Sequence, residues 1–302
     1  MIPDPGVYHD VPFHDYLAWE AINNSSLDPL ERSPAHYLAA LTHPKAPTCA
    51  MRLGTFLHAG CLEPESVRDR YIVMPRFEDE IRRPDGTEYA NVRATKAYRE
   101  RASDFRDEAE ADGKEVVPQD WYDVLIGVSK ALASEPRVKN LFARMAVPDG
   151  STTETEVSIV WEDPATRLLC KARIDFLDQA HARMCDLKTS TDVSQYEWDL
   201  WRRRIHRQVA FHGDGLETLG VAISERWIIA AEVEEPFGVR AAPVSQSTLA
   251  VGRAEYRRAL QTIARCRDLG QWPGYASPET WDLPECKMPP IELMVGGQAV
   301  TV

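Results

Sequence analysis

Residues 172–191 read A-R-I-D-F-L-D-Q-A-H-A-R-M-C-D-L-K-T-S-T. Two β-rich runs, 168–177 and 183–189, flank a turn supplied by residues 178–183. Asp186 and Lys188 are two apart in the second run, so both side chains leave the same face of a strand. With the turn centred on Ala180 and His181, Asp175 falls opposite Asp186, their β-carbons roughly 4.5–5.5 Å apart. Facing carboxylates repel, and such a pair is unfavourable unless a cation sits between them. Hard oxygen donors at that separation suit Mg²⁺, which binds through one or two carboxylates and keeps waters for a phosphate. Lys188 on the same face is placed to hold or activate a water beside the metal, an arrangement suited to phosphodiester hydrolysis. A D-x-K pair alone is also the pattern of an exposed ion pair. Ala172, Ile174, Met184 and Leu187 mark both strands as buried, so the charges on them need a reason.

Outward from this hairpin the chain divides. Upstream, residues 1–150 read as mainly helical. Ser33-Pro34 opens a capped helix over 35–41, and residues 51–62 place Leu53, Phe56 and Leu57 at helical spacing on a segment that carries His58. Residues 76–95 are polar loop, 96–111 a charged helix, 121–133 an amphipathic helix and 138–145 another. Downstream, residues 151–270 alternate strand and helix. A strand containing Val157, Ile159 and Trp161 precedes the hairpin. A helical run over 194–219, weakened at Gly213 and Gly215, follows it, with strands at 226–233 and 239–244 and a long helix over 249–269. The proline-rich tail, 271–302, reads as irregular.

The 302 residues carry 35 Lys+Arg against 47 Asp+Glu, a formal charge of −12. A chain that blankets nucleic acid should be basic, so any nucleic-acid contact must be local. The sharpest local feature is residues 201–207, W-R-R-R-I-H-R, with four arginines and no acid. On one helix Arg203, Arg204 and Arg207 share a side, and the planar guanidinium suits phosphate. The same run is also what a solvated helix face looks like. The N-terminal residues lack a signal-peptide pattern, and no run approaches the roughly 18 apolar residues of a membrane helix, so the expected location is cytoplasmic. Six cysteines without C-x-x-C support neither a zinc ribbon nor a redox motif. No G-x-x-x-x-G-K-[ST] loop is present, which points to chemistry without ATP.

Carboxylate, hairpin, carboxylate-x-Lys resembles the PD-(D/E)XK nuclease superfamily. R-S-P-A-H-Y at 32–37, G-T-F-L-H at 54–58, D-L-K-T at 186–189, H-R-Q-V-A-F-H at 206–212 and W-P-G-Y at 272–275 occur in an order that resembles the RecE-type (exonuclease VIII) phage and prophage recombination exonucleases. The resemblance implies an α/β fold with a restriction-endonuclease-like core, a central mixed sheet flanked by helices, and a helical N-terminal extension within one nuclease domain, 1–302. It implies His58, Asp175, Asp186 and the backbone carbonyl of Leu187 as metal ligands. It also implies Glu156 as a further site acid, with Glu154 a close rival, and Gln208 as a catalytic glutamine. A lone His on an apolar helix is otherwise a core residue, and Glu156 is otherwise an edge-strand glutamate. His212 stands where the family has Tyr, either contacting phosphate or packing. Ile174 replaces the family's proline. Cys266 and Cys286 are isolated, which argues against the iron–sulfur cluster of some relatives of this superfamily.

The activity so implied is a Mg²⁺-dependent DNA exonuclease, with Mn²⁺ as a possible substitute. It would run 5′ to 3′ on linear duplex ends and expose 3′ single strands for recombination. The partners implied are double-stranded DNA ends and a single-strand annealing protein, the assembly a homo-oligomeric ring, and the setting a bacterial host carrying phage or prophage. The alternatives are another PD-(D/E)XK repair nuclease, acting on single strands, flaps or internal sites, and a DNA-end binding protein without activity.

Overall fold

The computed structural model describes residues 2–43, 46–83, 85–143, 153–277, 292–295 and 298–301. The chain starts with β1 (Gly6–Tyr8) and α1 (Phe13–Ala18), then α2 (Pro34–Thr42), α3 (Cys49–Leu62), α4 (Val67–Arg70), β2 (Tyr71–Val73), α5 (Lys96–Ala111), β3 (Glu115–Val117), α6 (Gln119–Ser134) and α7 (Pro136–Ala143). There follow β4 (Thr153–Glu162), β5 (Leu169–Asp178), β6 (Arg183–Ser190), α8 (Tyr196–Arg202), α9 (Ile205–Thr218), β7 (Glu225–Glu232), β8 (Val239–Pro243) and α10 (Gln246–Leu269). Last come β9 (Glu292–Val295) and β10 (Gln298–Thr301). Helix starts follow local chemistry. Ser33, Thr48, Thr95 and Ser245 each accept a first-turn N–H as N-caps of α2, α3, α5 and α10. Gly270 ends α10 in the left-handed conformation.

A six-stranded mixed sheet runs β1-β4-β5-β6-β7-β8. Only the β6–β7 pair is parallel, and its connection carries α8 and α9. On one face the sheet packs Ile159, Trp161, Ala172, Ile174 and Met184 against Val209, Phe211, Leu260 and Ile263 of α9 and α10. On the other, Phe176, Cys185, Leu187, Ile229 and Ala231 meet Leu62, Val128, Leu132 and Val138 of α3, α6 and α7. Each fully buried aliphatic side chain of these layers contributes roughly 1.5–3 kcal/mol. This is an α/β fold with a central mixed sheet flanked by helices and a helical N-terminal extension.

Three details depart from the sequence reading. First, the N-terminal residues supply a strand, β1, at the sheet edge. Buried Lys171 secures the turn that follows by donating to the carbonyls of Tyr16, Leu17 and Trp19, which lie at the end of α1. Second, the expected continuous helix over 194–219 is two helices. Arg204 adopts φ 52° between them, a left-handed conformation that redirects the chain. Gly213 has a packing role in α9: a Cβ there would run into the Arg226 side chain, so the glycine lets the helix close onto it. Third, β9 and β10 pair antiparallel within the tail expected to be irregular. The end of the helix expected over 138–145 and Cys286 lie outside the described residues. Among the described residues no helix is long and apolar enough to cross a membrane.

Candidate metal centre

The hairpin register is the one expected from its turn: Phe176 pairs with Cys185, Leu177 with Met184 and Asp178 with Arg183. At Asp175 the ladder gives way. Across the neighbouring pair, Glu156 of β4 takes φ 55°, and the β4–β5 pairing skips from Thr155↔Phe176 to Val157↔Ile174. A non-glycine residue in this region is strained and persists only where its surroundings hold it. The side-chain alternation of β5 slips at the same place. Cys170, Ala172 and Ile174 belong to the α9–α10 layer, whereas Phe176 turns to the α6–α7 layer. Freed from the ladder, Asp175 Oδ2 accepts the backbone N–H of Leu187 at 2.7 Å.

This break faces α3. His58 Nδ1 lies 3.6 Å from Asp175 Oδ2, and donor atoms of His58, Glu156 and Asp175 all fall within 4.8 Å of one another. Glu156 is fixed by the Arg173 guanidinium, which further donates to the Val11 carbonyl at 2.7 Å and approaches Glu63 at 3.6 Å. Glu154 points elsewhere, to His9 at 3.3 Å and Gln179 at 3.5 Å. Gly54, Thr55 and Arg70 join these residues in lining a cleft of about 190 Å³.

Asp186 stands beside the cluster on the same hairpin. Its Oδ2 lies 2.7 Å from Lys188 Nζ, and its Oδ1 accepts from Gln208 Nε2 of α9 at 2.9 Å. Of the expected ligands, His58 and Asp175 therefore gather with Glu156, and Asp186 is engaged by Lys188 and Gln208.

The electrostatics are those of a cation site. Burial, then the charge of Asp186, pushes the Asp175 carboxyl up to about 7. Burial, then Asp175, raises Glu156. Burial, then Lys188, lowers His58, which leaves its imidazole neutral and able to ligate. Burial opposes the charge on Lys188, but Asp186 and Asp175 outweigh it and hold the ammonium protonated. Two carboxylates made costly by burial and mutual repulsion, with one neutral imidazole, form a donor set that fits a divalent metal.

The arginine run divides. Arg203 is exposed and donates to the Thr189 carbonyl at 3.2 Å, one residue from Lys188. Arg204 pairs with Glu31 at 3.1 Å and Glu255 at 3.2 Å. Arg207 is 0% exposed and ties Asn24, Asp28 and Glu31 of the front segment to α9. The expectation of three arginines on one DNA-facing helix side is thus corrected. The break at Arg204 turns the helix so that Arg207 points into the protein, where acids satisfy it. His212 is likewise buried. Burial lowers it to about 4, so it packs as a neutral ring and does not present a cation to phosphate. Arg173 was not among the residues expected at the site. Its signal was available, since a guanidinium two residues before Asp175 in a buried strand requires an acidic partner.

A crystal structure of a Eubacterium rectale protein provisionally assigned as an exonuclease superposes with TM-score 0.52 over 92% of this chain and 92% of that chain, at 11% identity. A second structure, SSO0001, covers 69% of this chain and 84% of that chain at 17% identity with TM-score 0.27, too low to bear on the fold. No curated protein matches the sequence. Residues 23–280 match the PDDEXK-like domain of unknown function (DUF3799), and the chain belongs to that family.

Proposed function

We propose that this chain, as one nuclease domain over residues 1–302, is a Mg²⁺-dependent, ATP-independent deoxyribonuclease that degrades linear duplex DNA from its ends. The observation that carries the reading is the placement of His58, Glu156 and Asp175 around one point, with Asp186, Lys188 and Gln208 adjoining it. His58, Glu156 and Asp175 would hold the metal, with Asp186 and the Leu187 carbonyl at its edge. Such a metal supplies Lewis-acid stabilisation of the phosphate and favours water as nucleophile near neutral pH. Lys188, held protonated by Asp186, orients the attacking water and offsets charge accumulating on the phosphate. Gln208 keeps the Asp186 carboxylate turned toward the ammonium. Arg173 holds Glu156 in its strained conformation, so the donor set is positioned before any ligand arrives. Arg203, exposed beside the strand end, meets the DNA backbone.

The finer reading rests on the family resemblance: 5′-to-3′ polarity, 3′ single-strand products for an annealing protein, a ring of identical subunits, and service in phage-type recombination. The test is incubation of end-labelled linear duplex and covalently closed circles with Mg²⁺, for the unmodified protein and Asp186→Ala. Metal-dependent release from linear DNA alone, lost in the variant, is the expected result. Equal release by both proteins would sink the enzymatic reading, and cleavage of circles would make the activity endonucleolytic.

A further inference from the structure

Helix α8, Y-E-W-D-L-W-R, is anchored through one side only. Tyr196 is buried and Leu200 packs against the main core, four residues apart and so on one face. The opposite side presents Trp198 and Trp201, 63% and 56% exposed. Two indoles left in water side by side form an apolar patch of the kind that marks an interaction surface. Trp201 is held in place from behind, stacked on the His206 ring at 5.6 Å and 12°. That ring is fixed by the Leu200 carbonyl at 2.7 Å, and Glu255 stands 3.2 Å from its other nitrogen. Arg202 and Arg203, both exposed, flank the indoles. Arg203 ties this corner to the Thr189 carbonyl, next to Lys188. Trp198 also borders a cleft of about 550 Å³ with Ser190, the last residue of β6.

From this juxtaposition we infer that α8 is a stacking platform for unpaired bases of a DNA strand at the metal centre. Flat apolar rings beside guanidinium groups, in a chain of net charge −12, match a ligand with π-faces and a phosphate backbone. Arg202 is braced by Asp199 at 2.8 Å and Arg203 by the Thr189 carbonyl at 3.2 Å, so both guanidinium groups are held beside the rings, within reach of a phosphate. The rings recognise single strands because a paired base has both faces covered by its neighbours. The inference deepens the nuclease reading by naming the form of DNA held beside the scissile bond, and it rests on that reading.

The test measures binding of a labelled single-stranded oligonucleotide and a blunt duplex of equal length by fluorescence anisotropy in EDTA, with Mg²⁺-dependent cleavage followed separately. Each of Trp198→Ala and Trp201→Ala is expected to weaken single-strand binding by roughly ten-fold or more. Duplex binding should change less, and Trp198→Phe should restore most of the loss. Unchanged single-strand affinity in both alanine variants, with circular dichroism matching the parent, overturns the platform and leaves metal-dependent cleavage by the parent intact as support for the nuclease. An equal loss for single strand and duplex, or a sedimentation change without any change in DNA affinity, overturns it in favour of general electrostatic contact or a protein-covered face.

Discussion

The carboxylate of Asp175 accepts the backbone N–H of Leu187 at 2.7 Å, immediately beyond the last paired residues of the β5–β6 hairpin, Phe176 and Cys185. A side chain thus takes over where the backbone ladder stops. One group serves both the fold and the donor set, and substitutions separate the two roles. Asn retains an acceptor for the Leu187 N–H but removes the charge a metal needs. Ala removes both and leaves a buried N–H without a partner, a cost of roughly 1–3 kcal/mol. Asp175→Asn is expected to unfold in urea near the parent midpoint while losing metal-dependent cleavage. Asp175→Ala is expected to lose both. Equal destabilisation by the two would remove the structural role of this hydrogen bond.

Lys188 and Asp186 form a largely enclosed ion pair at 2.7 Å, with Asp186 only 1% exposed. Removing the ammonium alone strands a buried carboxylate, which costs roughly 3–5 kcal/mol. Lys188→Met should therefore be destabilised by that order, and Asp186→Asn combined with Lys188→Met should regain most of it. Neither protein should cleave DNA at more than about one hundredth of the parental rate, the lower end of what one preorganised charge-stabilising donor contributes. Chemical denaturation of the single and double variants checks the first statement. Recovery of cleavage in the double variant would contradict the second.

The hairpin was legible in the sequence because it depends on local signals: β-rich runs, a turn between them and a spacing of two. Its register followed from the turn alone. The approach of His58 was visible only through family resemblance, since nothing local links residue 58 to residue 175. The path of Arg207 was not legible. Four arginines in seven residues read as one positive face only on an unbroken helix, and the left-handed residue that breaks it is an arginine, not the glycine that marks such a position. Strand β1 escaped for a related reason. Three residues carry no periodicity, and their pairing with β4 is fixed by tertiary contacts, including the side chains of Lys171 and Arg173.

Arg203 and Arg207 should behave oppositely. Arg207, fully enclosed, joins α9 to the segment carrying Asn24, Asp28 and Glu31. Arg207→Ala is expected to lose stability on the order of 3 kcal/mol, since a buried guanidinium network is dismantled. When folded at low temperature it should bind DNA with the parental salt dependence. Arg203→Ala should leave stability nearly unchanged and reduce the slope of log K against log salt by about one, the signature of one lost phosphate contact. Titrations at several ionic strengths check both, and a reduced slope in the Arg207 variant would restore it to the DNA surface.

The raised Asp175 carboxyl makes metal binding depend on pH. Below about 7 this carboxyl is protonated in the metal-free protein, and a metal must displace the proton. His58 is lowered by burial and ligates as the neutral ring without releasing one. Mg²⁺ binding is therefore expected to release protons at pH 6 and far fewer at pH 8, with affinity rising through pH 7, and the raised Glu156 carboxyl adds to the release. The same shift acts on stability. Because the folded pKa of Asp175 lies above its unfolded value, its contribution is present in acid and lost as pH rises through about 7. His212, lowered by burial to about 4, acts with the opposite sign: its contribution is present above roughly 6.5 and lost as pH falls. The two oppose one another between about 4 and 6.5, so proton release is the cleaner readout for the carboxylate. Titration calorimetry in buffers of different ionisation enthalpy measures it directly. Asp175→Asn, lacking the charge a metal needs, should show neither binding heat nor release, and a proton count for the parent independent of pH would place the titrating group elsewhere.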